Sequence, residues 1–231
     1  MAINDIDAAV QFAVDFCNDE DHGYKVGGVV TSSQPDTDCS GLVYYSLKAG
    51  GFSVPGSRWD TSNMDSELRT LGFTEYVYPK GSYSNYTPQY GDICMYRVTY
   101  YTDPRLHHGH AFFYAENVLG FESRSTSSRS TIAKARVEAV HDYNGQPGDS
   151  QYNGTGAYNE VWVHPYNGLY DGEDKEDPTK MENREWHVFR WGGTPPGPSG
   201  LSTEQIIAML AMAGAIDKKK NKRVKIIYPS R

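Results

Sequence analysis

The segment Thr37–Gly51 constrains the fold most strongly, because it predicts a helix that begins at a cysteine. Either Thr37 or Asp38 can cap its start by accepting a backbone N–H bond, and Gly50-Gly51 can end it in the left-handed conformation. Cys39 then lies in the first turn, where the helix dipole favours thiolate, the nucleophilic form. The alternative is a buried cysteine that packs as a small apolar group. The predicted apolar face comprises Leu42, Val43, Tyr45, Leu47 and Ala49.

The rest of the chain predicts two more helices followed by antiparallel strands. Apolar residues recur at helical spacing over 5–17 and 61–71. β-Propensity and turn residues predict a sheet that begins as a meander, so we expect an α+β fold. Cys17 and Cys94 fall on the apolar face of the first helix and in the first strand, where we expect core packing. The predicted strands are 93–98, 110–115, 118–123, 160–164 and 186–191.

Composition divides the chain into a main domain, 1–193, and a short appendage. A Pro/Gly linker, 194–200, precedes a basic helical tail, 201–231, which is too short to fold alone. Within the main domain, 142–159 and 167–183 are expected to be loop inserts. Both are rich in acidic or turn-forming residues. A solvated loop is favoured over a calcium site because neither has EF-hand spacing.

Charge indicates which partners the protein can have. Residues 217–231 carry seven basic side chains and one acidic, a net +6, so 1–216 carry −13 of the total −7. An acidic body argues against nucleic acid as a partner. The basic tail suits an anionic wall polymer or a membrane surface, although a tail that only aids solubility is an equal alternative.

Targeting and redox signals are sparse. No basic stretch followed by an apolar run opens the chain, so we expect no signal peptide, and no apolar run reaches the about 18 residues of a spanning helix. Three cysteines form neither a disulfide framework nor a CxxC metal pair, which is consistent with a reducing compartment.

A nucleophilic thiol needs a base and a group that orients the base. The candidate bases are His107, His108 and His110, and His110 is favoured because it follows a glycine and opens an apolar strand. Glu122, 12 residues further along a hairpin path, is the expected orienting carboxylate. Metal binding by the three histidines is the alternative, but no further ligand cluster completes such a site.

Two groups outside this constellation are expected to line the site. Tyr24 precedes Gly27-Gly28, which allow a close backbone approach to the cysteine, and its hydroxyl could face the thiol or an oxyanion; a turn with a packed tyrosine is the alternative. Trp59 is placed to line a groove. With Asp38 and Ser40, it completes the residues that we expect to contact substrate.

As a set, these motifs resemble the NlpC/P60 cell-wall hydrolases. More narrowly, the chain is similar to the Pal-like amidase group of bacteriophage peptidoglycan hydrolases. The resemblance covers about residues 5–125, and 186–191 resemble the closing strand of the family. The motifs that carry it are Tyr24-x-x-Gly27-Gly28, Asp38-Cys39-Ser40-Gly41-Leu42-Val43, Gly91-Asp92-Ile93 and Gly109-His110.

The resemblance implies a papain-like core, with N-terminal helices packed on an antiparallel sheet that carries the histidine. It implies that Cys39 is the nucleophile, His110 the base and Tyr24 a helper. Glu122 would be the third residue, as in the related CHAP hydrolases, with Ser123 or Ser125 as the fallback.

The same resemblance implies hydrolysis of an amide in peptidoglycan without a cofactor. The bond between muramic acid and L-alanine is favoured over one inside the stem peptide. A non-catalytic wall-binding module and an intracellular cysteine peptidase or acyltransferase stay open as alternatives. A phage endolysin of this kind would accumulate in the host cytoplasm and act on the wall after release.

Overall fold

A computed structural model gives the fold of the main domain. It describes residues 4–19, 22–31, 36–100, 107–123, 128–142, 158–169, 181–182 and 185–192. The predicted linker, 194–200, and the basic tail, 201–231, lie outside the described residues. Most of the two predicted inserts, 142–159 and 167–183, lies outside them as well.

Three α-helices form within the described residues: α1 (Ile6–Asn18), α2 (Cys39–Ala49) and α3 (Met64–Thr70). The Asp5 carboxylate caps α1 by accepting a bond from Ala8 N, as a cap residue should. The helix predicted over 61–71 begins later, at Met64. No helix of the described residues is long and apolar enough to cross a membrane.

The described strands form one antiparallel sheet in the order β1–β7–β2–β3–β4–β5, with the short β6 paired to the end of β2. Three helices and this sheet confirm the predicted α+β class. The strands are β1 (Phe73–Pro79), β2 (Ile93–Tyr100), β3 (His107–Phe121), β4 (Arg129–Asp142), β5 (Tyr158–Pro165), β6 (Met181–Glu182) and β7 (Glu185–Trp191).

The sheet differs from the predicted meander at β3. Strands predicted over 110–115 and 118–123 are one continuous strand, because β4 pairs with both halves through Glu116↔Lys134 and Val118↔Ile132. Between them Asn117 takes a positive φ of 55° without breaking the ladder. β1, β4 and the short β6 were not predicted, and β4 proves decisive for the site.

The two faces of the sheet carry different cores, as alternation along each strand requires. One face packs against the helices and buries Ala111, Phe113, Val137 and Val163 with side chains of α1, α2 and α3. The other face buries a second cluster, made of Tyr86, Cys94, Phe112, Leu169, Trp186 and Val188. Four polar residues of the sheet that are described below, His110, Arg136, Glu138 and His164, belong to this second face.

Candidate active site

Cys39 is the first residue of α2, as the sequence predicts. Its side chain is buried, with 6% of the residue surface exposed, and its Sγ lies 3.9 Å from the carbonyl oxygen of Gly109 on β3. The thiol therefore lies where the N-terminus of the helix meets the sheet. Backbone N–H groups of a first helical turn have no intrahelical acceptors, so this position concentrates positive potential at the sulfur.

Asp38 holds the start of α2 through both carboxylate oxygens. Oδ1 accepts hydrogen bonds from Gly41 N and Ser40 Oγ, each at 2.9 Å, and forms an ion pair with Arg58 Nη2. Oδ2 accepts a 2.8 Å bond from the backbone N–H of Gly27. Gly27 has φ 66°, a conformation that suits glycine. Asp38 thus ties the loop before α2 to its first turn, and Arg58 offsets a negative charge next to the thiol.

His110 lies on β3 directly after Gly109 and is 8% exposed. Its imidazole interacts with the thiol of Cys39 on one side and with a carboxylate on the other. Gly109, next to it, permits the close approach of the segment before α3, because a Cβ there would lie 2.4 Å from Thr61 Oγ1. The predicted thiol and the predicted base therefore meet at the beginning of β3.

The carboxylate at His110 belongs to Glu138 on β4. Glu138 Oε2 lies 2.8 Å from His110 Nε2, and Oε1 lies 2.7 Å from Nε2 of His164 on β5. Arg136 Nη1 is 3.7 Å from the same Oε2. Glu138 is 5% exposed, so one buried carboxylate is shared by two histidines and a guanidinium. With Nε2 directed at Glu138, Nδ1 of His110 is the nitrogen left to face Cys39.

The pKa values follow from these contacts. Burial alone would lower the pKa of His110, but hydrogen bonds to Cys39 and Glu138 and their charges raise that pKa to about 10. Burial alone would raise the pKa of Glu138. The positive charge of His164 and hydrogen bonds from His110 and His164 instead hold that pKa well below its usual value. The arrangement therefore favours a charged imidazole beside the Glu138 carboxylate.

Glu122, the predicted orienting carboxylate, is not at His110. It follows the end of β3, is exposed, and accepts a 2.8 Å bond from Ser130 Oγ. The prediction assumed a turn after residue 115 that would bring Glu122 back beside His110. Because β3 runs straight to Phe121, Glu122 is carried to the far end of the strand. The described part of the chain places Ser123, one fallback, beside it, and Ser125 lies outside that part.

The residues expected to contact substrate are used in structural contacts. Trp59 is 2% exposed; its Nε1 donates to Ser40 O at 3.1 Å, and its ring packs edge-on against Tyr44. Ser40 is 2% exposed and bonds to Asp38. All three predicted substrate contacts, Trp59, Asp38 and Ser40, are therefore buried residues that make hydrogen bonds at the start of α2, and their contact with substrate stays a prediction.

Tyr24 lies close to the start of α2 through its backbone. It forms a bridge with Thr37, flanked by bonds from Lys25 N to Thr37 O (2.9 Å) and from Thr37 N to Gly23 O (3.1 Å). Thr37 is two residues before the thiol. The predicted proximity of this segment to Cys39 is therefore present at the level of the backbone, and its ring packs against the helix-side core.

The other two cysteines have the predicted core positions. Cys17 is 3% exposed on α1, and its Sγ lies 3.7 Å from the backbone oxygen of Glu138. Cys94 on β2 is fully buried. Burial raises the pKa of both thiols, that of Cys94 to about 12 and that of Cys17 well above its usual value. Neither thiol lies at a helix N-terminus beside a histidine, as that of Cys39 does.

Sequence reasoning missed Glu138 and His164 because it treated 124–185 as an insert-rich region. A signal was present: in 135–139 apolar residues alternate with Arg136 and Glu138, which is typical of a half-buried strand. That alternation predicts a strand but does not predict its neighbours. In the part of the chain that the structure describes, no group of three or more His, Cys, Asp or Glu residues is arranged to hold a metal ion.

Comparison with known proteins gives one positive result. The model of a family described as bacteriophage peptidoglycan hydrolase matches residues 26–159, more than half of the chain. The matched segment contains Cys39, His110 and Glu138, whereas His164 lies just beyond it. No curated protein and no solved structure matches significantly. The chain therefore belongs to the bacteriophage peptidoglycan hydrolase family, whose members hydrolyse the bacterial cell wall.

Proposed function

We propose that the protein hydrolyses an amide bond of peptidoglycan by nucleophilic catalysis, with Cys39 as nucleophile, His110 as the acid and then the base of each turnover, and Glu138 as the group that orients His110. The observation that carries this proposal is the continuous contact from the thiol through the imidazole to the buried carboxylate. It is the order of groups that activated thiols require.

The first step is attack by the Cys39 thiolate on the amide carbonyl. A pKa of about 10 keeps His110 protonated near neutral pH, so the imidazolium can stabilise the thiolate beside it. The tetrahedral intermediate carries an oxyanion. The backbone N–H of Cys39, which has no intrahelical acceptor by its position, is the donor that we assign to it.

His110 then gives its proton to the leaving amine, the C–N bond breaks, and a thioester to Cys39 remains. Neutral His110 next takes a proton from water, whose oxygen attacks the thioester. The products are a carboxylic acid and the free thiolate, beside an imidazolium. Throughout this cycle Glu138 accepts from His110 Nε2, which fixes the tautomer that presents Nδ1 to the sulfur. The cycle uses protein groups and water alone.

For the bond, we propose the amide between muramic acid and L-alanine, which would make the protein an N-acetylmuramoyl-L-alanine amidase. The support is the similarity of the Tyr24, Cys39 and His110 motifs to those of phage amidases. Cleavage inside the stem peptide by the same thiol chemistry is the alternative. The two differ in the products: an amidase releases whole stem peptides with a free L-alanine amino group, whereas an endopeptidase leaves muramic acid substituted.

The test is mass spectrometry of purified peptidoglycan after digestion by the wild-type protein and by Cys39→Ala. We expect whole stem peptides from the wild type and none from Cys39→Ala. Cys94→Ala is the matched control, since it removes another buried thiol, one that contacts Tyr86, and it should retain activity. Digestion by Cys39→Ala would defeat the mechanism. Cleaved stem peptides would favour the endopeptidase, and wall binding by the wild type without any product would indicate a binding module.

A further inference from the structure

We propose that His164 is a positioning residue that holds Glu138 in the orientation His110 requires. This inference rests on the proposed function, because it concerns the same site. His164 lies on β5, beyond the segment that the family model matches, and touches the thiol and imidazole only through Glu138.

The sheet register explains how one carboxylate reaches two histidines. Glu138 on β4 is directly opposite Phe112 on β3 and Trp162 on β5. His110 and His164 are two residues away from these partners, in opposite directions along the sheet. Diagonal neighbours on one face of a sheet lie within reach of long side chains. Glu138 therefore has one histidine on each side, and each takes a different oxygen.

His164 is itself held in place. Its ring stacks on that of Trp162, with centroids 3.9 Å apart and an angle of 16° between the planes. Its side chain is 12% exposed, so little water competes for its bond to Glu138. Stacking fixes the plane of the imidazole, and the plane fixes where Nε2 points. The donor is thus preorganised before any substrate binds.

The alternative partner of Glu138 shows why a second donor matters. Arg136, the register partner of His164, lies on the same face with its Nη1 3.7 Å from Glu138 Oε2, the oxygen that His110 uses. Among the described residues, the charged or titratable groups near this carboxylate are His110, His164 and Arg136. Cys17 lies at the backbone oxygen of Glu138, and Cys39 lies beyond His110. If Oε1 lost its donor, the carboxylate could rotate towards the guanidinium, and His110 would lose its acceptor.

The experiment compares His164→Gln with His164→Asn. The amide nitrogen of glutamine can occupy the place of Nε2, whereas that of asparagine is too short and lies near the place of Nδ1. For His164→Asn we expect kcat to fall about tenfold, the value of one lost hydrogen bond to a charged group, with KM unchanged. We also expect the pH profile of Cys39 alkylation by iodoacetamide to move to higher pH. His164→Gln should keep kcat and the pH profile of alkylation close to those of the wild type.

The matched control is His187→Gln, because His187 is also partly buried and bonds through Nδ1 to a glutamate, Glu75, at 2.6 Å, so that glutamine, whose amide lies near the place of Nε2, removes that bond on β7, away from Glu138. It should leave kcat and the alkylation profile unchanged. The proposal is overturned if His164→Asn keeps the wild-type profile, if His164→Gln is as impaired as His164→Asn, or if His187→Gln gives the same shift.

Alkylation needs no peptidoglycan, so failure of the positioning role of His164 can be distinguished from failure of the proposed function. If Cys39→Ala digested the wall, the proposed mechanism would fail whatever the His164 variants showed. If the His164 variants do not fold, the ¹⁵N NMR spectrum of the imidazoles in the wild-type protein tests the proposal instead. We expect the His164 ring to carry a proton on Nε2. A neutral ring with its proton on Nδ1 alone could not donate to Glu138 and would overturn the proposal.

Discussion

Two buried carboxylates flank the candidate nucleophile, and their partners differ in kind. Asp38 accepts from backbone N–H groups of Gly27 and Gly41, from Ser40 and from the guanidinium of Arg58. Glu138 accepts from two imidazoles. The partners of Asp38 are backbone N–H groups, a hydroxyl and a guanidinium, none of which titrates near neutral pH, whereas the two imidazoles that bond to Glu138 can gain and lose protons. The first carboxylate therefore stabilises the backbone around the thiol, and the second sets the protonation of the site.

The largest effect that separates the two carboxylates should come from Glu138→Gln. The neutral amide cannot stabilise the His110 imidazolium as a carboxylate does, so we expect kcat on peptidoglycan fragments to fall about 100-fold or more, the typical contribution of acid–base catalysis. The measurement is steady-state hydrolysis of soluble muropeptides. The fold should persist, because glutamine can still bond to one histidine.

Glu122→Gln is the matched control for Glu138→Gln, since it makes the same change in an exposed glutamate bonded to Ser130. It should keep kcat within about twofold, as surface substitutions away from sites usually do. If Glu122→Gln were the damaging variant and Glu138→Gln harmless, the assignment of the third residue would be reversed.

The next largest effect should be on stability, from Asp38→Ala. It removes a helix cap, worth about 1 kcal/mol, and it leaves Arg58, whose side chain is 13% exposed, without its anionic partner. We expect the free energy of unfolding to fall by about 3 kcal/mol in denaturant titrations.

Asp5→Ala provides the comparison for Asp38→Ala, because Asp5 caps α1 by one bond, to Ala8 N at 3.0 Å, in an exposed setting. It should cost about 1 kcal/mol. Equal losses in the two variants would mean that the Arg58 and Gly27 contacts add nothing to the cap at Asp38.

The smallest effect is a shift along the pH axis. Because the pKa of His110 is raised to about 10, the imidazole keeps its proton as pH rises past about 6.5, its ordinary value. We expect kcat/KM to decline only as pH passes about 10, where His110 can no longer protonate the leaving amine. The measurement is muropeptide hydrolysis over an alkaline pH series.

In Glu138→Gln the residual activity should decline at lower pH than in the wild type, because one of the two contacts that raise the pKa of His110 has lost its charge. A wild-type decline near pH 6.5 would contradict the raised pKa. If kcat/KM declined at the same alkaline pH in both proteins, Glu138 would not be responsible for the raised pKa of His110.

Sequence reasoning was most successful where the informative contacts are local. The cap of α2, its first residue and its end follow from Asp38, Cys39 and Gly50-Gly51, whose interactions span only a few residues. Gly51 takes the left-handed conformation, with φ 79°, that the helix stop requires. His110 at the start of a strand was predictable too, since a glycine and an apolar run mark the strand locally.

Sequence reasoning was least successful where the result depends on which strands pair in the sheet. Glu122 is close to His110 along the chain and was chosen for that reason, but β3 continues past Asn117 and carries Glu122 away. Glu138 is 28 residues from His110 and 26 from His164, and only the pairing of β4 with β3 and β5 brings the three together. Nothing in the local pattern of 129–142 specifies those neighbours.

The chain's own residues thus determined where the thiol lies on its helix and how that helix begins, because helix caps and dipoles act over a few residues. They also marked His110 as the favoured base, through the glycine and apolar run that open its strand. Tertiary structure alone decided which carboxylate orients that imidazole, and that a second histidine holds the same carboxylate. The physical reason is that sheet register is set by cooperative pairing and burial across distant strands, and a side chain's partners on a sheet are fixed by that register.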